Sequence, residues 1–182
     1  MIETERLVLR GWREDDLPSL LAICSDARVM ATIGPLQNEV EVRAAITRQQ
    51  EHQKAHGYCY WAMELRAEAA VIGFCGLELQ DIAMPIAGLT DIGWRLAHSR
   101  WGQGYAREAA EASLAWAWSM TFLSQVVAIT TAANTRSWGL MERLGMTRYP
   151  DEDFDHPGVA DDSPLKRHIL YRITRPSPYR PA

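Results

Sequence analysis

Apolar positions recur along this chain with two alternating periods, and the changes from one period to the other mark out its elements. Leu7-Val8-Leu9-Arg10-Gly11-Trp12 alternates apolar and polar residues in the manner of a short half-buried strand. Asp15-Asp16-Leu17-Pro18 offers capping oxygens and a proline at a first helical turn, and Leu17, Leu20, Leu21 and Cys24 follow at helical spacing. A second helix is predicted from Asn38, where Glu41 completes a capping box, through Val42, Ala45 and Ile46 to a stop at Gly57. Its far end, Gln49 to Lys54, is polar on all faces and is expected to be solvated. Tyr58 to Leu65 and Val71 to Leu79 are rich in aromatic and β-branched residues, and the short run Arg66 to Ala70 between them predicts an antiparallel hairpin.

The apolar connection Asp81 to Gly88 either packs on its own domain or lines a cleft or a partner surface. Thr90 to Ala97 is a strand that leads into Arg100-Trp101-Gly102-Gln103-Gly104-Tyr105-Ala106-Arg107-Glu108. Behind that turn Tyr105, Ala109, Ala112, Trp116 and Met120 recur at helical spacing, beside a small-residue face of Ala106, Ala110, Ser113 and Ala117 suited to lying close on a sheet. Gln125 to Thr131 is a nearly continuous apolar strand, as expected of one buried on both faces. Strand, glycine turn, long helix and strand form a βαβ unit, whose two strands should be parallel. Asn134 to Gly145 is a short helix with Ser137, Leu140, Met141 and Leu144 on one face. Met146 to Tyr149 starts another strand, Asp151 to Asp162 is an acidic loop, and Arg167 to Thr174 is a final strand. The expected organisation is one α/β domain over residues 1–175 and a proline-rich tail over 176–182.

Composition narrows the function. At 182 residues and 47% hydrophobic, the chain suffices for one compact core. Its net charge of -4 argues against nucleic acid as the main partner. No apolar run reaches membrane-spanning length, and the acidic start Met1-Ile2-Glu3-Thr4-Glu5-Arg6 resembles no signal peptide, so a cytoplasmic protein without a membrane partner is expected. Cys24, Cys59 and Cys75 show no pairing or zinc spacing and read as buried thiols, with no metal implied. The sequence is compatible with a monomer or a homodimer.

The glycine turn carries the main chemical signal. Two glycines one residue apart let an anion approach several backbone N–H groups at the positive end of a helix, which suits phosphate or pyrophosphate. An ordinary tight turn uses the same residues. A third glycine, as in a dinucleotide fingerprint, and the Lys-Ser/Thr of a P-loop are both lacking.

Four stretches in order resemble the GCN5-related N-acetyltransferase superfamily, in particular its bacterial ribosomal-protein N-terminal acetyltransferase-like branch. They are Thr4-Glu5-Arg6-Leu7-Val8-Leu9-Arg10, Ile72-Gly73-Phe74-Cys75-Gly76-Leu77, Asp91-Ile92-Gly93-Trp94-Arg95-Leu96 running into Trp101-Gly102-Gln103-Gly104-Tyr105-Ala106, and Asn134 with Ser137 and Leu144-Gly145-Met146. The resemblance implies a mixed, mostly antiparallel twisted sheet with a central splayed parallel pair, flanked by helices, and an acetyl-CoA site at the glycine turn. Backbone N–H groups of Gln103, Gly104, Tyr105 and Ala106 would hold the pyrophosphate, with Trp101 and Gly102 in the same site and Arg107 adding charge. Backbone of Trp94, Arg95 and Leu96 would pair with pantetheine, and Asn134 would reach it from the other side. Trp101 stands where much of the superfamily has Arg or Gln, which leaves more of the phosphate binding to backbone amides.

For acetyl transfer to a primary amine, the resemblance puts Met141 where a proton-donating tyrosine is common. Ser137, one turn earlier, is the expected substitute, unless its hydroxyl only bonds back to its own helix. Asp91 stands where relatives often carry a glutamate and would accept the amine proton, or else serve as a salt bridge or loop cap. His156, in the acidic loop, is an alternative base, and that loop would attract a cationic amine or merely be solvated. His168 reads as structural. The expected acceptor is a peptide or protein N-terminal α-amine. A small amine, such as an aminoglycoside, and a non-catalytic acyl-CoA-binding sensor are the alternatives.

Overall fold

The computed structural model describes residues 1–80 and 84–176. Its elements, in chain order, are β1 (Ile2–Glu3), β2 (Leu7–Arg10), α1 (Leu17–Cys24), α2 (Ala27–Met30), α3 (Glu39–His56), β3 (Tyr60–Leu65) and β4 (Ala70–Leu79). There follow β5 (Thr90–Leu96), α4 (Tyr105–Met120), β6 (Gln125–Thr131), α5 (Thr135–Arg143), β7 (Thr147–Arg148), β8 (Phe154–Asp155) and β9 (Arg167–Thr174). The strands form one sheet in the order β1-β2-β3-β4-β5-β6-β9-β7, with β8 also on β9.

Every pairing is antiparallel except that of β5 with β6, which α4 connects. These two seven-residue strands share one register pair, Asp91 with Val127, and part beyond it. The expected splay is therefore present, and it starts at Asp91.

Alternation along the strands gives the sheet two apolar faces. Trp61, Met63, Cys75, Leu77, Ile92 and Leu96 pack with Ala109, Ala110, Leu114 and Ala117 of α4 on one side. On the other, Ala62 and Phe74 meet Trp12, Leu20, Cys24, Val42 and Ile46, which brings in α1 and α3. The buried stripe of α4 is centred on its small residues. Met120, which shares helical spacing with Tyr105 and Ala109, is 67% exposed. Small side chains let the helix axis come close to the sheet, and the larger residue at the helix end falls beyond it.

Two local expectations need correction. Asp16 does not cap α1: its carboxylate takes both guanidinium nitrogens of Arg10 at 2.8 Å and the backbone N–H of Arg13 at 2.7 Å. The polar end of α3 is not solvated throughout either. Gln49 is buried, accepts from Tyr60 N–H at 2.7 Å and donates to Glu78 at 2.8 Å. His52 Nδ1 lies 2.9 Å from the Tyr58 carbonyl, and Nε2 accepts from Leu79 N–H at 3.0 Å, which fixes Nδ1 as the protonated nitrogen. These side chains saturate backbone groups at the start of β3 and the end of β4, which buried strands cannot leave unpaired.

Residues 81–83 of the apolar connection lie outside the described residues, as do 177–182 of the tail. The described part packs on its own chain, with Met84 and Ile86 against Phe154 and Leu170. The acidic loop is largely neutralised: Glu152 pairs with Arg172, Asp153 with Arg148, Asp155 with Arg167 and Asp161 with Lys166.

Candidate active site

At the glycine turn Gly102 and Gly104 adopt φ of 74° and 84°, a left-handed backbone that side chains with Cβ rarely take. The result is a run of six N–H groups, Gly102 to Arg107, that meet no acceptor among the described residues. Those of Gly102, Gln103 and Gly104 precede the helix, and those of Tyr105, Ala106 and Arg107 belong to its first turn, where the carbonyls four residues back lie outside the helix and do not accept from them. Such a cluster at a helix N-terminus is complementary to a doubly charged anion.

The turn is held from behind by residues whose role was not apparent in the sequence. Glu108 accepts from Thr4 Oγ1 at 2.6 Å, from Arg6 N–H at 2.9 Å and from Arg6 Nε at 2.7 Å. Arg6 also donates to the Gln103 carbonyl at 2.9 Å and lies over the Tyr105 ring. Burial works against ionisation of Glu108, but these hydrogen bonds outweigh it and keep its carboxyl below the ordinary glutamate range. The Thr4–Arg6 part of the recognised motif was the only signal for this brace.

A cleft of about 620 Å³ opens from the turn, lined by Trp94, Arg95, Leu96, Trp101, Gly102, Gly104, Tyr105, Ala106, Arg107, Asn134 and Ser137 among others. Gln103 stands on the outer side of the turn, with its side chain donating to the Ser99 carbonyl at 2.9 Å. Arg107 is turned to Glu111, at 2.8 Å. Trp101 anchors through Nε1 to the Leu96 carbonyl at 3.0 Å, and the Arg136 guanidinium lies 4.9 Å from its ring centre, so Arg136 brings a cation to this wall. Beyond Asp91 the edge of β5 that faces β6 has no strand partner, which leaves backbone of Trp94 and Leu96 facing one wall, while the Arg95 backbone is turned to β4. Asn134 stands opposite as the N-cap of α5, its Oδ1 accepting from Ser137 N–H at 3.3 Å.

A smaller pocket of about 130 Å³ continues the cleft at the point where β5 and β6 part, and includes Asp91, Gly93, Arg95, Thr130, Ser137, Met141 and His168 in its lining. Asp91 is 6% exposed, and burial pushes its carboxyl up to about 8 despite a 2.6 Å hydrogen bond from the Tyr60 hydroxyl. Its Oδ1 has no partner among the described residues. Ser137 lines both cavities, and its hydroxyl makes no hydrogen bond among the described residues; the back-bond to its own helix is not formed. Met141 sits on the same wall and offers no proton.

His156 does not line either cavity. Its Nδ1 accepts from Gly158 N–H at 3.1 Å, and burial keeps its ring below the ordinary histidine value. His168 is the histidine that reaches the small pocket, with its ring 4.9 Å from that of His156. Pairing of β9 with β6 brings it there through the register Thr131 with His168, a placement no local pattern announces.

Residues 6–147 match the family described as the acetyltransferase (GNAT) domain, and the chain belongs to that family. It is an acetyltransferase, and its acetyl donor is acetyl-CoA. It is 28% identical over 144 residues to uncharacterized protein YkkB of Bacillus subtilis (strain 168), covering 79% of this chain and 83% of the other. The fold is similar to that of the ribosomal-protein-S5-alanine acetyltransferase from Vibrio fischeri, with a TM-score of 0.74, 16% identity and 98% of each chain covered. It is similar as well to that of the spermidine N-acetyltransferase from Vibrio cholerae, with a TM-score of 0.72, 16% identity, and 94% of this chain and 97% of the other covered. No helix among the described residues is long and apolar enough to cross a membrane.

Proposed function

We propose that this acetyltransferase acts on the α-amine of a peptide or protein N-terminus, by direct attack in a ternary complex. The observation that carries the reading is Asp91: a carboxyl ionising at about 8, set where the two parallel strands part and with one oxygen unpaired. An α-amine titrates near about 8 as well, so proton exchange between the two is nearly balanced, whereas a lysine-like or polyamine nitrogen near about 10.4 would be deprotonated far less readily.

The bound donor supplies an acetyl thioester, whose carbonyl carbon is attacked and whose sulfur leaves. Free N–H groups of the turn would hold the pyrophosphate, with Arg136 and Arg107 nearby, and the open edge of β5 together with Asn134 would hold the pantetheine arm. Asp91 takes a proton from the incoming ammonium, so that the nitrogen lone pair can form the C–N bond. As the C–S bond breaks, Ser137 gives its hydroxyl proton to the departing thiolate and is reprotonated from water. The three cysteines among the described residues are free and buried, which supports a reducing, cytoplasmic setting and the absence of an acetyl-cysteine step.

A thiol-release assay with acetyl-CoA tests the reading. Alanine- or serine-starting peptides should react, and the same peptides blocked at the N-terminus should not. Higher turnover with spermidine or an aminoglycoside would replace the peptide by a small amine. Stabilisation by acetyl-CoA without thiol release to any amine would make the protein a sensor.

A further inference from the structure

The buried side-chain polar atoms without a partner among the described residues are Asp91 Oδ1, Arg95 Nε and Arg172 Nε. Two of these, a carboxyl oxygen and a guanidinium N–H, belong to β5 residues that line the same small pocket. They are four residues apart on an extended strand, so their side chains leave the same face of the sheet with Gly93 between them. Two aromatic rings of the neighbouring strands lie against them. Tyr60 stacks on Phe74 with ring centres 5.6 Å apart, and the Arg95 guanidinium lies 5.4 Å from the Phe74 ring.

Arg95 has no acid to balance it among the described residues. Its hydrogen-bond partners are Cys24 Sγ at 3.1 Å and Gln37 Oε1 at 3.4 Å. A guanidinium with no carboxylate partner and one buried N–H left without an acceptor beside a cavity is costly, and an anionic group completes it best. We infer that the acceptor is a zwitterion: its amine meets Asp91, and a carboxylate on the same molecule completes Arg95. This rests on the proposed acetyl transfer and narrows its acceptor.

The geometry sets the spacing. Four strand residues separate the two Cα atoms by about 13 Å, and an extended peptide advances about 3.4 Å per residue. That span is about four peptide residues, and the reach of the glutamate and arginine side chains towards each other shortens it, so a peptide whose α-amine sits at Asp91 brings the acidic side chain of its second or third residue within range of Arg95. A polyamine in the same pose sets an ammonium against a guanidinium.

The test is competition among alanine-starting tetrapeptide amides that carry glutamate, glutamine or lysine at the second or third position. The readout is kcat/KM for thiol release by the full chain with saturating acetyl-CoA. Glutamate peptides should exceed their glutamine partners about tenfold or more, and lysine peptides should be slower still. Arg95→Gln should abolish the preference. Gln37→Glu, which supplies an internal acid to an intact Arg95, should abolish it too while leaving the thermal shift by CoA unchanged. Equal rates for glutamate and glutamine peptides, or a preference that survives both substitutions, would overturn the inference and leave acetyl transfer standing. Absence of thiol release with every peptide and amine would overturn both.

Discussion

Tyr60 donates its hydroxyl hydrogen to Asp91 Oδ2 at 2.6 Å, reaching from β3 across β4 to β5. The reach depends on a lane of glycine, since Tyr60, Gly76 and Gly93 stand opposite one another in the sheet. A Cβ on Gly93 would sit 3.0 Å from the Tyr60 ring. The bond occupies Oδ2 and leaves Oδ1 unpaired, so in the proposed reaction Tyr60 would orient Asp91 without touching the reacting atoms.

Tyr60→Phe tests that role. Burial is the main cause of the raised Asp91 pKa, and the tyrosine hydrogen bond is what restrains it. Its removal should drive the pKa higher, moving the rising limb of the kcat/KM profile to more alkaline pH. The buried Oδ2 left unpaired should cost about 1–3 kcal/mol, read as a lower denaturation midpoint above pH 8. An unchanged pH profile would make Tyr60 merely structural.

Asp91→Asn should separate chemistry from stability. A carboxyl whose pKa rises from 3.8 unfolded to about 8 folded keeps its proton in the native state over that window while the unfolded chain releases it. Stability is therefore fully present below about pH 4 and is lost progressively as pH rises towards 8. The asparagine cannot ionise, so this site's contribution should vanish and the variant should gain on the parent between pH 5 and pH 8. Peptide kcat/KM should meanwhile fall about a hundredfold and lose its rising limb. Melting curves and initial rates across that range check both.

Glu108→Ala should weaken CoA binding through the turn it braces. Loss of the acceptor frees Thr4 and Arg6, which ties the far end of the chain to the start of α4. The pair is partly exposed, so the stability cost should be modest, about 1 kcal/mol. CoA affinity, measured by titration calorimetry, should drop about tenfold, because preorganised amides need the turn fixed. Undiminished affinity would place the pyrophosphate elsewhere.

Ser137→Ala should lower kcat about tenfold to a hundredfold with little change in peptide KM. Its hydroxyl makes no hydrogen bond among the described residues, so the melting temperature should hold. A single-turnover assay showing an unaltered transfer rate would leave the sulfur to be protonated by water.

Much of this protein is legible because its signals are local. Asn38 and Glu41 close a capping box on α3, with bonds of 3.0 and 2.8 Å. Gly104 opens α4, Asn134 caps α5, and the nearly continuous apolar run Gln125 to Thr131 becomes the strand buried between β5 and β9. Misreadings arose where a polar side chain finds its partner far along the chain. Gln49 and His52 look solvated in sequence and are committed to backbone groups of β3 and β4. The acids of residues 151–162 look like an electrostatic lure for an amine, yet several are paired with cations of β7, β9 and the segment before β9.

The sequence by itself determined the elements, the glycine turn and the family pattern, since each depends on residues within a few positions of one another. Only the tertiary structure decided that β5 and β6 part at Asp91, that Tyr60 reaches it from 31 residues away, and that His168, not His156, enters the pocket. Desolvation, register and charge pairing are properties of the packed sheet. They exist only once separate strands are brought together, and they give Asp91 and Arg95 their unpaired atoms.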